Sequence, residues 1–111
     1  MENLISKTAA CFHACNDCFM ECLEEEHVKI MRRCIRLCKE CAQVCGMTLD
    51  LLSDDSYFIK HTLNLCMLVC RECGDECRWH PEESCQKAAR ACDACRQACE
   101  RFLLQARRGT A

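Results

Sequence analysis

The 111-residue sequence predicts an all-α protein, an antiparallel up-down-up-down four-helix bundle with a cysteine-lined core. Three observations carry that expectation. Cysteines recur at steps of four, three and four residues, the spacing that keeps side chains on one helix face. The residues between them are rich in Ala, Arg, Glu, Leu and Lys, which favour helix over strand. Only three Gly and one Pro are present, which leaves little from which to build long loops.

The first unit, Cys11, Cys15, Cys18 and Cys22, falls in a helix predicted over 3–24, and the second, Cys34, Cys38, Cys41 and Cys45, in a helix over 27–52. Between them "EEEH" contains neither Gly nor Pro and marks no sharp boundary. "SDDS" at 53–56 supplies a loop and caps for a third helix over 56–79, which carries Cys66, Cys70, Cys73 and Cys77. Pro81 suits the first position of a fourth helix over 81–107, whose early Glu82 and Glu83 complement the positive end of its dipole. That helix keeps Cys92, Cys95 and Cys99 of the repeated unit, with Ala88 in the first place and Cys85 one turn earlier. Gly46 and Gly74 lie inside predicted helices and point to close helix approach or a kink. Short links make neighbouring helices antiparallel, so the four seams face one another within one domain, 1–111.

The two ends of such a bundle differ. One gathers Leu4, Ile5, Leu51, Leu52, Ile59, Leu63, Phe102 and Leu103 into an apolar plug. The seams run outward at the other into Glu25, His27, Met31, His80, Pro81 and Cys85, a polar mouth rich in soft or borderline metal ligands. His13, His61, Met20 and Met47 fall off the seam and face outward. Phe12 and Phe19, with Ile30, Leu37, Val44 and Leu51, read as helix packing and, where exposed, as a subunit interface.

Cysteine makes up 16 of 111 residues, about 14%, above the level that usually marks a secreted disulfide scaffold. Against that scaffold stand the scarcity of loop residues, the helical spacing and an N-terminus, "MENLISKTAACF", without a secretion signal. The expected location is the cytosol, where thiols stay reduced. A net charge of -2 gives no reason to expect nucleic acid or an anionic membrane as partner, and no apolar run reaches transmembrane length.

A single buried Cys is an ordinary small hydrophobe, but leucine would bury more apolar area at each of these positions. Packing alone does not explain a whole seam of thiols. Helical neighbours have Cβ atoms about 5–6 Å apart, too far for a disulfide at about 3.5–4.5 Å, yet able to clasp a metal ion between their sulfurs. Disulfides between helices remain geometrically open. Sixteen thiolates against four divalent ions leave eight negative charges inside a core with almost no inward Lys or Arg. One monovalent ion per thiolate leaves none, and thiolate is a ligand that selects Cu(I). Multiple Cu(I) ions fit both charge and spacing. The pairs "CNDC", "CKEC", "CREC" and "CDAC" leave a zinc-thiolate protein as the next reading, then an iron-sulfur electron carrier, then thiol redox chemistry. No Ser-His-Asp set, carboxylate pair or phosphate loop supports an enzyme.

The repeated C-x3-C-x2-C-x3-C units and the junction "CRWHPEESCQ" resemble the cytosolic copper storage proteins of bacteria, over roughly residues 11–99. The resemblance implies a preformed bundle storing many Cu(I) ions along its interior, a homotetramer of such bundles, and the seam cysteines as ligands. It places His27, Met31 and His80 at the open mouth, with a copper chaperone as a candidate exchange partner. The departure at Ala88 implies one local copper position lost, or rebuilt with Cys85.

Overall fold

Four antiparallel α-helices form the protein. The structure, a computed structural model, describes residues 1–109: α1 spans Glu2–Leu23, α2 Arg32–Ser53, α3 Ile59–Arg78 and α4 Glu83–Gly109. Thiol pairs across each interface fix the directions. Cys11 meets Cys41 and Cys18 meets Cys34 between α1 and α2, Cys34 meets Cys77 and Cys41 meets Cys70 between α2 and α3. Cys66 meets Cys95 between α3 and α4, and Cys18 meets Cys85 between α1 and α4. Residue numbers rise along one helix as they fall along the next, the up-down-up-down order that the short links predict. The bundle is a rod of 53 × 21 × 19 Å.

Helix boundaries follow the local electrostatics. Expected at residue 27, α2 instead begins at Arg32. The segment before it runs as tight turns, with N–H groups bonding carbonyls three residues back: Ile30 to His27, Met31 to Val28, Arg32 to Lys29. Glu24, Glu25 and Glu26 stand at the negative end of α1, and Lys29, Arg32 and Arg33 at the positive end of α2, so both dipoles oppose continued helix there. The third helix begins at Ile59 rather than 56, because Ser56 closes a local turn in which its hydroxyl accepts from the Phe58 N–H at 3.1 Å. Pro81 precedes α4, whose first turn holds Glu83 and whose last holds Arg107 and Arg108.

The end of α2 closes with the N–H of Ser56 bonding the Leu51 carbonyl and that of Asp55 bonding the Leu52 carbonyl. Asp55 takes the left-handed conformation, φ 51°, that this closure requires and that Gly usually fills.

Gly46 and Gly74 mark close helix approach rather than kinks. A Cβ on Gly46 would lie 3.3 Å from the Phe12 ring; one on Gly74 would lie 3.3 Å from the Cys92 Cβ and 3.7 Å from the Ala89 carbonyl oxygen. A half-buried ring tilts, whereas a Cβ moves only with its helix. Gly46→Ala therefore keeps or raises stability, because Ala gains about 1 kcal/mol of helix propensity. Gly74→Ala spreads α3 from α4 and costs about 1–3 kcal/mol. Anaerobic urea unfolding of the reduced apoprotein checks both, and equal midpoints for the two variants would refute the distinction.

Candidate metal centre

All sixteen cysteines are buried, and all sixteen are free thiols. The inward stripe therefore includes Cys85, which the regular repeat omits. The first three helices position their thiols by the four-three-four step and α4 by seven, three and four, and on α1 the buried face runs Leu4, Thr8, Cys11, Cys15, Cys18, Cys22.

The sulfurs form one connected column. Cys18, Cys22, Cys34 and Cys85 group at the end next to the 24–31 connection, and Cys18 and Cys34 belong also to a set with Cys38 and Cys77. Cys11, Cys15, Cys41 and Cys92 group at mid-length; Cys11 and Cys41 recur with Cys45 and Cys70, and those two recur with Cys66 and Cys95. Within each set the ligand atoms lie within 4.8 Å of one another. Close pairs span 3.5 Å for Cys38 and Cys77 to 4.0 Å for Cys11 and Cys15. Two metal–sulfur bonds of about 2.3 Å span about 3.8 Å at a tetrahedral angle, so these separations suit bridging by metal and far exceed an S–S bond of about 2.05 Å.

At the level of Ala88, where α4 offers no sulfur, the column continues through the other helices: Cys73 lies 3.8 Å from Cys38 and 3.9 Å from Cys77. Cys85 takes up the lost place one turn away, 3.6 Å from both Cys18 and Cys22.

Electrostatics limits what the column can hold. Among the described residues the buried polar groups are Thr8, Thr48, Thr62 and His80; no buried Lys or Arg offsets a thiolate. Burial pushes the Cys22 thiol up to about 12, with its Cys85 neighbour adding to the shift. Hydrogen bonds with Cys11 and then burial raise Cys92 and Cys15 well above the ordinary thiol range. Cys85 moves the other way, to about 3, because the thiols of Cys18 and Cys34 stabilise its thiolate. Hydrogen bonds from neighbouring thiols lower Cys11, Cys38, Cys41 and Cys95 in the same way, so raised and lowered thiols are interleaved along the column.

The two ends differ as expected, with two departures. At the plug Leu4, Leu52 and Leu63 are buried, but Ile5 is exposed because the α1 seam passes through Leu4 and Thr8. At the mouth Met31 and His80 are buried, at 3% and 8% exposure, whereas His27 is exposed on the connecting turn. The His80 ring bonds Glu76 at 2.8 Å. His13, His61, Met20 and Met47 are exposed, as their positions off the seam predict.

A layer missing from the sequence reading lies between sulfur and plug. Thr8, Thr48 and Thr62 are buried, and each donates its hydroxyl hydrogen to the carbonyl four residues back, at 2.7, 2.7 and 3.0 Å. Cys95 donates to Thr8 Oγ1 at 3.7 Å. The signal was available, since each threonine stands one step beyond the last cysteine of its seam. Hydroxyl oxygen is a poor partner for a soft monovalent ion, so α1, α2 and α3 offer no soft donor at this layer, beside Cys95 and Cys99 of α4.

Residues 1–104 match the family model for copper storage protein. The chain is 40% identical over 98 residues to an uncharacterized cysteine-rich protein, YhjQ, of Bacillus subtilis (strain 168), covering 88% of this chain and 91% of that one. It is similar to the solved Cu(I)-bound copper storage protein BsCsp3, with a TM-score of 0.86 and 39% identity over 89% of this chain and 93% of the other. It is also similar to a cytosolic copper storage protein from Streptomyces lividans solved during copper loading, with a TM-score of 0.90 and 36% identity over 94% and 92%.

The thiol shifts set a pH dependence for the metal-free protein. Cys22 keeps its proton in the fold up to about 12, while the unfolded chain releases it near 9.0. Its contribution is complete below 9.0 and is lost as pH rises toward about 12. Cys85, lowered from 9.0 to about 3, contributes fully above 9.0 and adds no further change there. Stability of the reduced apoprotein therefore falls above pH 9, which anaerobic urea unfolding at neutral pH and at pH about 10 measures. An unchanged midpoint would contradict the assigned direction.

Proposed function

The chain belongs to the copper storage protein family, and from that membership we propose that it stores several Cu(I) ions in the cytosol along its thiol column, as a single metal-binding domain that turns over no substrate. The observation that carries this reading is a connected set of sixteen buried free thiols with no buried cation among them. Only a monovalent cargo neutralises such a set one ion per thiolate. Every cysteine from Cys11 to Cys99 serves as a ligand, and loading exchanges one sulfur partner at a time. Each bond formed in the protonated interior releases a proton.

His27, Met31 and His80 serve the mouth in different ways. Exposed His27 meets incoming copper on the outer turn, and the buried Met31 and His80 pass it to the set of Cys18, Cys22, Cys34 and Cys85. Zinc is disfavoured by the charge it would leave, and an iron-sulfur carrier by a column that runs the length of the bundle.

Anaerobic titration with Cu(I) against a chromogenic chelator tests the store. Saturation is expected well beyond the about four ions of a few conventional sites, and an endpoint at or below that number would refute storage. Replacing His27 and His80 with Ala is expected to slow uptake and leave capacity nearly intact; a large loss of capacity would remove them from the mouth. The bundles assemble as a homotetramer, with exposed Tyr57, Phe58, Leu65 and Leu68 as candidate contacts. Light scattering should give four times the chain mass, and a monomer in solution would end that assignment.

A further inference from the structure

At the mouth of the bundle His80 is held more firmly than a single ligand requires. Its Nε2 lies 2.8 Å from Glu76 Oε2, one turn earlier on α3. The other oxygen of that carboxylate, Oε1, lies 3.2 Å from Arg33 Nε on α2. The backbone is fixed as well: the His80 N–H bonds the Cys77 carbonyl at 3.1 Å, and Gln86 Nε2 of α4 donates to the His80 carbonyl at 2.7 Å. Residues of α2, α3 and α4 therefore hold this one histidine, directly or through Glu76, and its ring is buried while Glu76 is half-buried. Among the described residues no hydrogen bond engages His80 Nδ1.

We propose that Glu76 is a positioning residue for copper transfer: its carboxylate, steadied by Arg33, holds the proton of neutral His80 on Nε2 and leaves Nδ1 as the nitrogen that receives Cu(I). The inference rests on the reading of His80 as a mouth ligand. A carboxylate accepts and never donates, so the ring nitrogen facing it must carry the hydrogen. The lone pair is then confined to Nδ1, the nitrogen without a protein partner. Carboxylate partners fix tautomer and orientation in this way for metal-binding histidines generally, and they raise the basicity of the ligating nitrogen. Arg33 keeps the carboxylate in place across the α2–α3 interface without touching the imidazole. Cys85, five residues on, is the sulfur to which the ion would pass.

The test reads the tautomer directly and separately from copper. Nitrogen-15 NMR of the reduced apoprotein should show His80 protonated at Nε2 alone. Glu76→Ala should populate both tautomers. Glu76→Gln, which keeps the shape but can accept or donate, should also lose the single tautomer with the fold intact by circular dichroism. In stopped-flow transfer from a Cu(I)–chelator complex, Glu76→Ala should take up copper about tenfold more slowly at unchanged capacity, and Glu76→Gln should fall between it and the parent. Protonation at Nδ1 in the parent protein, or Glu76 variants that keep both tautomer and rate, would overturn the proposal. A His80→Ala variant that loads at the parent rate would instead overturn the mouth-ligand reading, and the NMR result would still decide what Glu76 does.

Discussion

Buried negative charge is the constraint on which this molecule turns. A thiol is a small apolar group and a thiolate a desolvated anion, and filling the core with metal converts the first into the second. Among the described residues the buried polar side chains are three threonines and a histidine, with no lysine or arginine to offset an anion. Ligand number, cation charge and proton release are thus linked, since each thiolate waits for a cation and each cation displaces a proton. Sixteen leucines in these places would have made a better-packed core and an inert one.

From this constraint the division of labour in the fold follows. The metal-free molecule is held by burial of the thiol stripe as small apolar groups, with half-buried Phe12, Phe19, Ile35 and Leu37 packed against it. Extra hold comes from close approach, at Gly46 against Phe12 and at Gly74 against Cys92, and from ion pairs outside the column, such as Arg78 with Asp93 at 2.7 Å between α3 and α4. The ends are specialised. Leucines and threonines close one, and the other gathers Met31, His80 and Cys85.

The helical period of the cysteines made most of this legible, because a four-three-four step has one geometric meaning and four copies of it admit few arrangements. Ala88 and Cys85 show the same rule surviving a departure: the displaced thiol still reached the column. What the sequence concealed lay where local and long-range forces compete. The start of α2 lies five residues beyond where the sequence pattern puts it because opposed helix dipoles, rather than Gly or Pro, end the helix there. Ile5 looked like plug and faces out, since a single residue of register separates it from Leu4. Thr8, Thr48 and Thr62 passed unnoticed because a lone threonine carries no pattern, although each extends a seam that was in plain view. The Glu76–His80 pair is a helix i,i+4 neighbourhood, but Arg33 joins it only through tertiary packing.

The threonine layer has a consequence for order in time. If copper enters and leaves only past His80, as proposed, a tube closed at the other end behaves as a stack: an ion that has reached the deep sulfurs leaves only after those standing nearer the exit. Recently acquired copper would then be the readily exchanged fraction and old copper the reserve, a distinction of age that arises from geometry alone, with chemically similar sulfur at every depth.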